Sequence, residues 1–172
     1  MRDFLIELGQ TPISLAMATS AWVVPTFQSI HIVSLALLFT SVLVTVLRVL
    51  GLVWGAQSVR QTAERFAPWA WIALVLLAVS GVILILAEPV RELMAISFWI
   101  KMILLIVAVV ISMRFLRAVR RDEQFADPDG KPDAAHRRNA ILTLAIWIAI
   151  IFLGRFIAYD PLIWGPLSPL YS

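Results

Sequence analysis

Four long apolar stretches, separated by segments rich in charged or turn-forming residues, dominate the pattern of this chain. Each stretch holds about 20 residues, and at ~1.5 Å rise per residue a helix of that length spans the ~30 Å hydrocarbon core of a bilayer. The pattern predicts membrane-spanning helices over residues 27–47, 68–87, 95–113 and 140–158. We therefore expect an all-α integral membrane fold, a four-transmembrane-helix bundle that forms one domain over residues 1–172.

The first apolar stretch carries its polar side chains on one helix face. These residues, with one leucine, recur at three- and four-residue steps: His31, Ser34, Leu38, Ser41, Thr45 and Arg48. Residues at that spacing share a face, and inside a bilayer a polar face must meet protein or water rather than lipid. We expect this helix to pack against the others, with His31 directed to the interior.

The other three stretches have candidate inner faces rich in small or polar residues. Small residues allow helix backbones to approach closely within a membrane. The faces are Ala70, Ala73, Leu77, Ser80, Gly81, Leu84 and Ala87 in the second stretch, Ser97, Lys101, Leu104, Ala108 and Ser112 in the third, and Thr143, Trp147, Ile150 and Gly154 in the fourth.

Residues 1–26 are less apolar and are interrupted by Pro12 and Pro25. Their mixed charges do not resemble a cleavable leader, so we expect the segment to be retained. The apolar run over residues 14–24 is short, which favours a helix lying at the membrane interface and leaves a fifth span as an alternative.

Basic residues are distributed unevenly between the loops. Ten of the fourteen lie in the loops 48–67 and 114–139: Arg48, Arg60, Arg65, Arg114, Arg117, Arg120, Arg121, Lys131, Arg137 and Arg138. Basic loops of inner-membrane proteins stay in the cytoplasm. We expect these two loops to be cytoplasmic, and the second loop and both termini to lie on the outer side of the membrane.

Composition excludes several kinds of site. The chain is 61% hydrophobic and has no cysteine, which rules out disulfides, thiolate metal ligands and iron–sulfur clusters. Its two histidines, His31 and His136, are too few for a three-histidine zinc centre. No glycine-rich phosphate loop or nucleophile elbow is present. The charge of +3 reflects membrane orientation, so no nucleic-acid partner is expected.

The predicted orientation brings several polar residues to the outer half of the bundle. His31 and Lys101 lie about one turn inside their spans, and Gln28, Glu88 and Arg155 fall close to the same layer. Ionisable residues within a span are by default functional-site candidates. We therefore predict a cofactor site with His31 as the metal ligand. The structural alternatives are an interhelical hydrogen bond for His31, snorkelling for Lys101, and snorkelling or a Glu88 ion pair for Arg155.

Short motifs along residues 12–115 resemble an uncharacterised family of short bacterial inner-membrane proteins. The matching residues are Trp22, Pro25, Gln28, His31, Leu47-Arg48-Val49-Leu50-Gly51, Arg65-Phe66-Ala67-Pro68, Ser80-Gly81 and Phe98-Trp99-Ile100-Lys101-Met102. More distantly, the chain is similar to haem-containing membrane protoporphyrinogen oxidases and to CopD-like copper-resistance membrane domains. The resemblance to the oxidases implies an important pair formed by His31 and Lys101. The resemblance to the inner-membrane family implies a location in the bacterial inner membrane, with both termini periplasmic.

Three functions follow as hypotheses. The first is a haem b-binding protein for electron transfer, or the membrane partner of a periplasmic redox protein, with His31 as axial ligand, Lys101 as a possible second ligand and Arg155 near a propionate. The second is a CopD-like copper-handling protein that receives the ion from a periplasmic partner. The third is a non-catalytic anchor or subunit. Besides the lipid bilayer, a homo-oligomer or a larger complex is expected.

Overall fold

The structure, a computed structural model, describes residues 2–130 and 132–170, and this part of the chain is all-helical. Lys131, one of the basic residues on which the orientation was predicted, lies outside the described residues. The helices are α1 (Arg2–Gly9), α2 (Pro12–Thr19), α3 (Val23–Val49), α4 (Val59–Ala87), α5 (Pro89–Met94), α6 (Ile96–Arg121), α7 (Ala134–Phe156) and α8 (Asp160–Trp164).

Four helical segments are long and apolar enough to cross a membrane. They are Val23–Val49, Val59–Ala87, Ile96–Arg121 and Ala134–Leu167. The predicted four-helix membrane bundle is thus confirmed. We call its two ends the His31 end, where α3 and α6 begin, and the Arg48 end, where α3 ends and α4 begins.

The predicted inner faces are buried or half-buried, with the exception of Gly154, which is exposed. On α3, the residues Ser34, Leu38, Ser41 and Arg48 are almost fully covered. The other helices bury Ala73, Ser80, Ser97, Ala108, Thr143, Trp147 and Ile150. Bulky apolar residues such as Val33 and Ile103 remain exposed on the outside, as expected for side chains that face lipid.

Helix α4 begins at Val59 rather than at the predicted Pro68, so the expected loop over residues 48–67 shrinks to residues 50–58. Its start is fixed by a capping box, in which the Ser58 hydroxyl accepts from the Gln61 N–H and the Gln61 side chain accepts from the Ser58 N–H, each at 3.1 Å. Pro68 therefore lies inside the helix. Counting apolar residues missed the first two turns because they are amphipathic, with Val59, Thr62 and Ala63 buried and charged residues such as Glu64 exposed.

The N-terminal segment forms two helices of eight residues each, α1 and α2. A helix of that length is only ~12 Å long, so neither spans a bilayer. The Ser14 hydroxyl donates to the Leu86 carbonyl at 2.6 Å and attaches α2 to the last turn of α4. Pro25 falls in the first turn of α3, where its missing N–H costs no helical hydrogen bond.

At the Arg48 end, two arginine side chains donate hydrogen bonds to backbone carbonyls of the loops and of α6. The buried Arg48 donates to the carbonyls of Gln57 at 2.5 Å and Pro128 at 2.8 Å, and so joins the α3–α4 and α6–α7 connections. Arg60 donates to the carbonyls of Val119 at 3.0 Å and Asp122 at 2.8 Å, which caps the C-terminal end of α6. Arg48 is thus a structural tie between the loops rather than only a marker of the membrane boundary.

Candidate functional site

The imidazole of His31 is held between α3 and α4. Its Nδ1 lies 2.8 Å from the hydroxyl oxygen of Ser80. That hydroxyl in turn donates to the Leu76 carbonyl of its own helix at 2.7 Å. While the Ser80 hydroxyl donates to Leu76, it accepts from His31, and in this tautomer the proton of the neutral imidazole lies on Nδ1. The other ring nitrogen, Nε2, makes no hydrogen bond within the described residues and keeps its lone pair.

Gly81 leaves space beside this imidazole. A Cβ atom at Gly81 would lie 3.6 Å from Cε1 of His31, the ring carbon next to Nε2. The Ser80–Gly81 pair thus fixes one side of the histidine ring and keeps bulk away from the atom beside the free nitrogen. Both residues lie on α4, two turns from its C-terminal end.

Lys101 reaches the same end of the bundle from α6. Its side chain packs on α7, where a Cβ atom at Gly154 would lie 3.8 Å from Cδ of Lys101. The ammonium nitrogen lies 5.5 Å from the centre of the Phe98 ring, a distance typical of a cation–π contact. Lys101 on α6 and His31 on α3 thus lie at the same end of the bundle. A direct pairing of their side chains stays a prediction.

The remaining predicted site residues make no hydrogen bond or ion pair with His31 or Lys101 within the described residues. Glu88 forms an ion pair with Arg91 of the next helix, α5, and not with Arg155. Arg155 is exposed and donates to the Tyr159 hydroxyl at 3.1 Å. Gln28 is exposed, one turn before His31 on α3. The structure thus leaves Glu88, Arg155 and Gln28 at the rim of the His31 end.

Sequence reasoning missed a buried network that holds this end together. The Asp160 carboxylate is fully buried and accepts from the Ser97 N–H at 3.0 Å and from the Ser168 hydroxyl at 2.6 Å. The Trp164 indole donates to the Ser97 hydroxyl at 2.9 Å. A carboxylate from the C-terminal segment thereby caps the start of α6, the helix that carries Lys101. The only signal in the sequence was an acidic residue in an otherwise apolar tail.

Metal-binding clusters of the usual kind are not found in residues 2–130 and 132–170. No group of three or more His, Asp or Glu side chains comes together there in an arrangement that could hold an ion. His31 would therefore have to act as a lone protein ligand, or with a ligand of another type.

Comparisons with known proteins give one match. The model described as Family of unknown function (DUF6644) matches residues 13–160, which extends the resemblance beyond residues 12–115 and through the fourth spanning helix. No curated protein and no solved structure matches the chain, so the similarity to protoporphyrinogen oxidases and CopD-like domains remains a sequence-based expectation. The matched range covers most of the chain, and the protein belongs to the DUF6644 family.

Proposed function

We propose that this protein binds haem b at the His31 end of the bundle and serves in electron transfer, or as the membrane partner of a periplasmic redox protein. The observation that supports this most is the state of His31. Its Nδ1 is occupied by Ser80 and its Nε2 has no partner in the described chain, which is the arrangement of an imidazole prepared to ligate a metal.

The side chains at the His31 end are chemically suited to bind haem. Imidazole is a common axial ligand of haem iron, and helix bundles hold such groups between facing helices. Gly81 and Gly154 keep side chains small on the two helices beside His31 and Lys101. When bound, haem supplies one-electron chemistry. This chain contributes the His31 ligand, a tautomer fixed by Ser80, and the Lys101 charge.

Two roles are distinguished for Lys101: an electrostatic neighbour of the bound group, or a second ligand to it. Its ammonium lies over Phe98 and interacts with Glu92, so it contributes a positive charge near His31. A Lys101→Met variant removes the charge and keeps an unbranched side chain of similar length. If Lys101 is an electrostatic neighbour, the variant shifts the reduction potential of the bound group; if it is a ligand, the variant also changes the spectrum.

The test is a dithionite-reduced minus oxidised absorbance spectrum of protein purified in detergent after expression with excess haem precursor. The native chain should show a Soret shift and an α band, and His31→Ala should lose both. His136→Ala is the matched control, because His136 is the other histidine and lies at the Arg48 end. A native spectrum without haem bands, or bands retained in His31→Ala, would overturn the proposal.

The hydrogen bond between His31 and Ser80 also supports a second candidate, a non-catalytic membrane subunit in which this bond only joins α3 to α4. In that case His31→Ala lowers the unfolding temperature while metal analysis and absorbance of the native protein show no bound group. Copper found by metal analysis in haem-free native protein, and lost in His31→Ala, would instead favour the copper-handling hypothesis.

A further inference from the structure

A cavity of about 420 Å³ lies between the α3–α4 and α6–α7 helix pairs, in the half of the bundle toward the Arg48 end. Along α3 it extends from Leu38 to Val49, and along α7 from Trp147 to His136. At ~1.5 Å rise per residue each of these stretches is ~16 Å long, about half of the ~30 Å hydrocarbon core. The cavity thus has the depth of one bilayer leaflet, and its volume is that of a typical ligand pocket, ~300–1,000 Å³.

The lining of the cavity changes along this length. Toward the middle of the bundle it is apolar, with side chains such as Leu38 and Leu74. At the other end it is lined by Arg114, His136 and Asn139, and it opens to the surface there because Arg114 and Asn139 are exposed. Three hydroxyl groups in the wall donate to carbonyls of their own helices, those of Ser41, Thr45 and Thr143. The cavity therefore matches an amphiphile with its chain inside and its polar group at the opening.

Positive charge continues from the opening along α6. Arg114, Arg117 and Arg120 are three residues apart, so they lie on one side of the helix, and all three are exposed. Arg117 and Arg120 line a recess of about 240 Å³ that shares three residues with the cavity, Trp71, Met113 and Leu116. Trp71 is 45% exposed on α4. The recess therefore lies beside the opening, where a lipid can enter from the bilayer.

The guanidinium groups of these three arginines are available to a ligand. None of them makes a hydrogen bond or an ion pair within the described residues, whereas Arg48 and Arg60 hold backbone carbonyls. No Asp or Glu side chain of the described chain lines the cavity or the recess, and Asp133 contacts His136 instead. Basic pockets between membrane helices attract anionic lipid headgroups, and arginine can bind phosphate through two parallel hydrogen bonds.

We propose that this cavity binds an anionic phospholipid, with one acyl chain between the helix pairs and the phosphate group on Arg114, Arg117 and Arg120. The unpaired positive charges select an anionic headgroup, and the apolar depth of one leaflet selects an acyl chain. The proposal does not depend on haem at the His31 end, because the two sites share no residue.

Native mass spectrometry of the detergent-purified protein measures the dissociation constant of the first lipid that binds. Dioleoylphosphatidylglycerol is the anionic probe, and dioleoylphosphatidylcholine has the same chains on a zwitterionic headgroup. The native protein should bind the anionic lipid at least about tenfold more tightly, because each basic residue near an anionic headgroup contributes about fivefold. The triple variant Arg114→Gln, Arg117→Gln, Arg120→Gln should lose this preference.

A second triple variant controls for the removal of charge alone. It consists of Arg65→Gln, Arg137→Gln and Arg138→Gln, which are exposed positions toward the same end that line neither the cavity nor the recess. This control should keep the preference for the anionic lipid. Equal binding of the two lipids by the native protein would overturn the proposal, and so would a control variant that loses the preference as fully as the first.

A filling variant tests the position of the acyl chain. Ala70 lines the cavity, so Ala70→Phe should weaken the binding of both lipids about tenfold, the expected effect of excluding two CH₂ groups from an apolar site. Val75→Phe, on the exposed side of α4, should leave binding unchanged. Helical circular dichroism checks the fold of each variant, and the arginine variants alone carry the test if Ala70→Phe is unfolded. Unchanged lipid binding by folded Ala70→Phe would overturn the proposal.

Discussion

Nδ1 of His31 on α3 and the hydroxyl oxygen of Ser80 on α4 lie 2.8 Å apart, within the part of the bundle that crosses the membrane. While the Ser80 hydroxyl donates to the Leu76 carbonyl, it accepts from Nδ1 of His31, and this arrangement corresponds to the tautomer with the proton on Nδ1. One hydrogen bond thus joins two helices and also sets the tautomer of the imidazole. These two effects can be separated by substitution.

Ser80→Ala removes the acceptor for Nδ1 and leaves a donor within the membrane without its partner. We expect the unfolding free energy to fall by about 1 kcal/mol. If haem is bound, its content after purification should fall as well, because the ring is no longer oriented. Thermal unfolding followed by circular dichroism, together with the haem-to-protein ratio, measures both. Ser29→Ala is the control, since the Ser29 hydroxyl is exposed and donates only to its own helix. Equal losses in the two variants would contradict the prediction.

Gly81 gives a graded test of the space beside His31. In Gly81→Ala the new Cβ would lie at an ordinary contact distance of 3.6 Å from the imidazole, so the site should be kept. Gly81→Leu places a branched side chain there and should abolish binding of the cofactor while the helices remain folded. Absorbance at the Soret band and helical circular dichroism distinguish the two outcomes. Full haem content in the leucine variant would show that the group does not lie beside Gly81.

The sequence alone was sufficient for the number of spans and for most of the residues they bury. A polar stripe at helical spacing, such as that from His31 to Arg48, has one physical solution in a bilayer, which is to face the interior. The placement of His31 and Lys101 at the same end of the bundle followed from counting residues from the same membrane boundary. Periodicity and depth are properties of single helices, and a sequence encodes both.

Relationships between helices could not be predicted in this way. The Ser80 partner of His31 depends on the register of α3 against α4. The early start of α4 was hidden because a capping box at Ser58 and two amphipathic turns do not raise the local hydropathy. Asp160 acts on Ser97, which is 63 residues away, and no local pattern connects them.

The Arg48 end gives a prediction about loop attachment. Arg48→Met keeps the aliphatic length and removes both hydrogen bonds to the Gln57 and Pro128 carbonyls. Hydrogen bonds from a charged group contribute about 1.5–3 kcal/mol each, so a loss of at least 2 kcal/mol is expected. Limited proteolysis should also become faster in residues 122–130. Arg65→Met, at an exposed position of α4, should change neither quantity. Equal protease resistance of the native protein and Arg48→Met would contradict this account.

The buried carboxylate of Asp160 predicts a dependence of the His31 end on its C-terminal segment. Asp160→Ala leaves the Ser97 N–H and the Ser168 hydroxyl without an acceptor. Breaking such a buried charged network typically costs about 3 kcal/mol. Asp127→Ala is the control, because Asp127 is exposed and accepts only within its own turn. Denaturant unfolding of the two variants measures the difference, and a loss no larger than that of the control would refute the capping role.

The carboxylate of Asp133 makes the stability of the first turn of α7 dependent on pH. Its exposed carboxylate accepts from the His136 N–H at 2.8 Å and lies 2.7 Å from His136 Nδ1, as the N-cap of the helix. These hydrogen bonds, first the one from the backbone N–H, lower the pKa of Asp133 below its usual 3.8. A lowered pKa means that the carboxylate form is favoured in the folded helix. The capping contribution is therefore complete above pH ~4 and is lost as the pH falls through the lowered value.

Hydrogen exchange of the amides in residues 134–137, corrected for the intrinsic effect of pH, measures this loss. In the native protein, protection of the first turn of α7 should decrease on acidification below pH ~4. Asp133→Asn keeps a good N-cap residue without a titrating group, so its protection should no longer depend on pH in this range. Asp129→Asn, in the preceding loop, should retain the native pH dependence. If Asp133→Asn also retained it, the acid-sensitive group would have to be a different one.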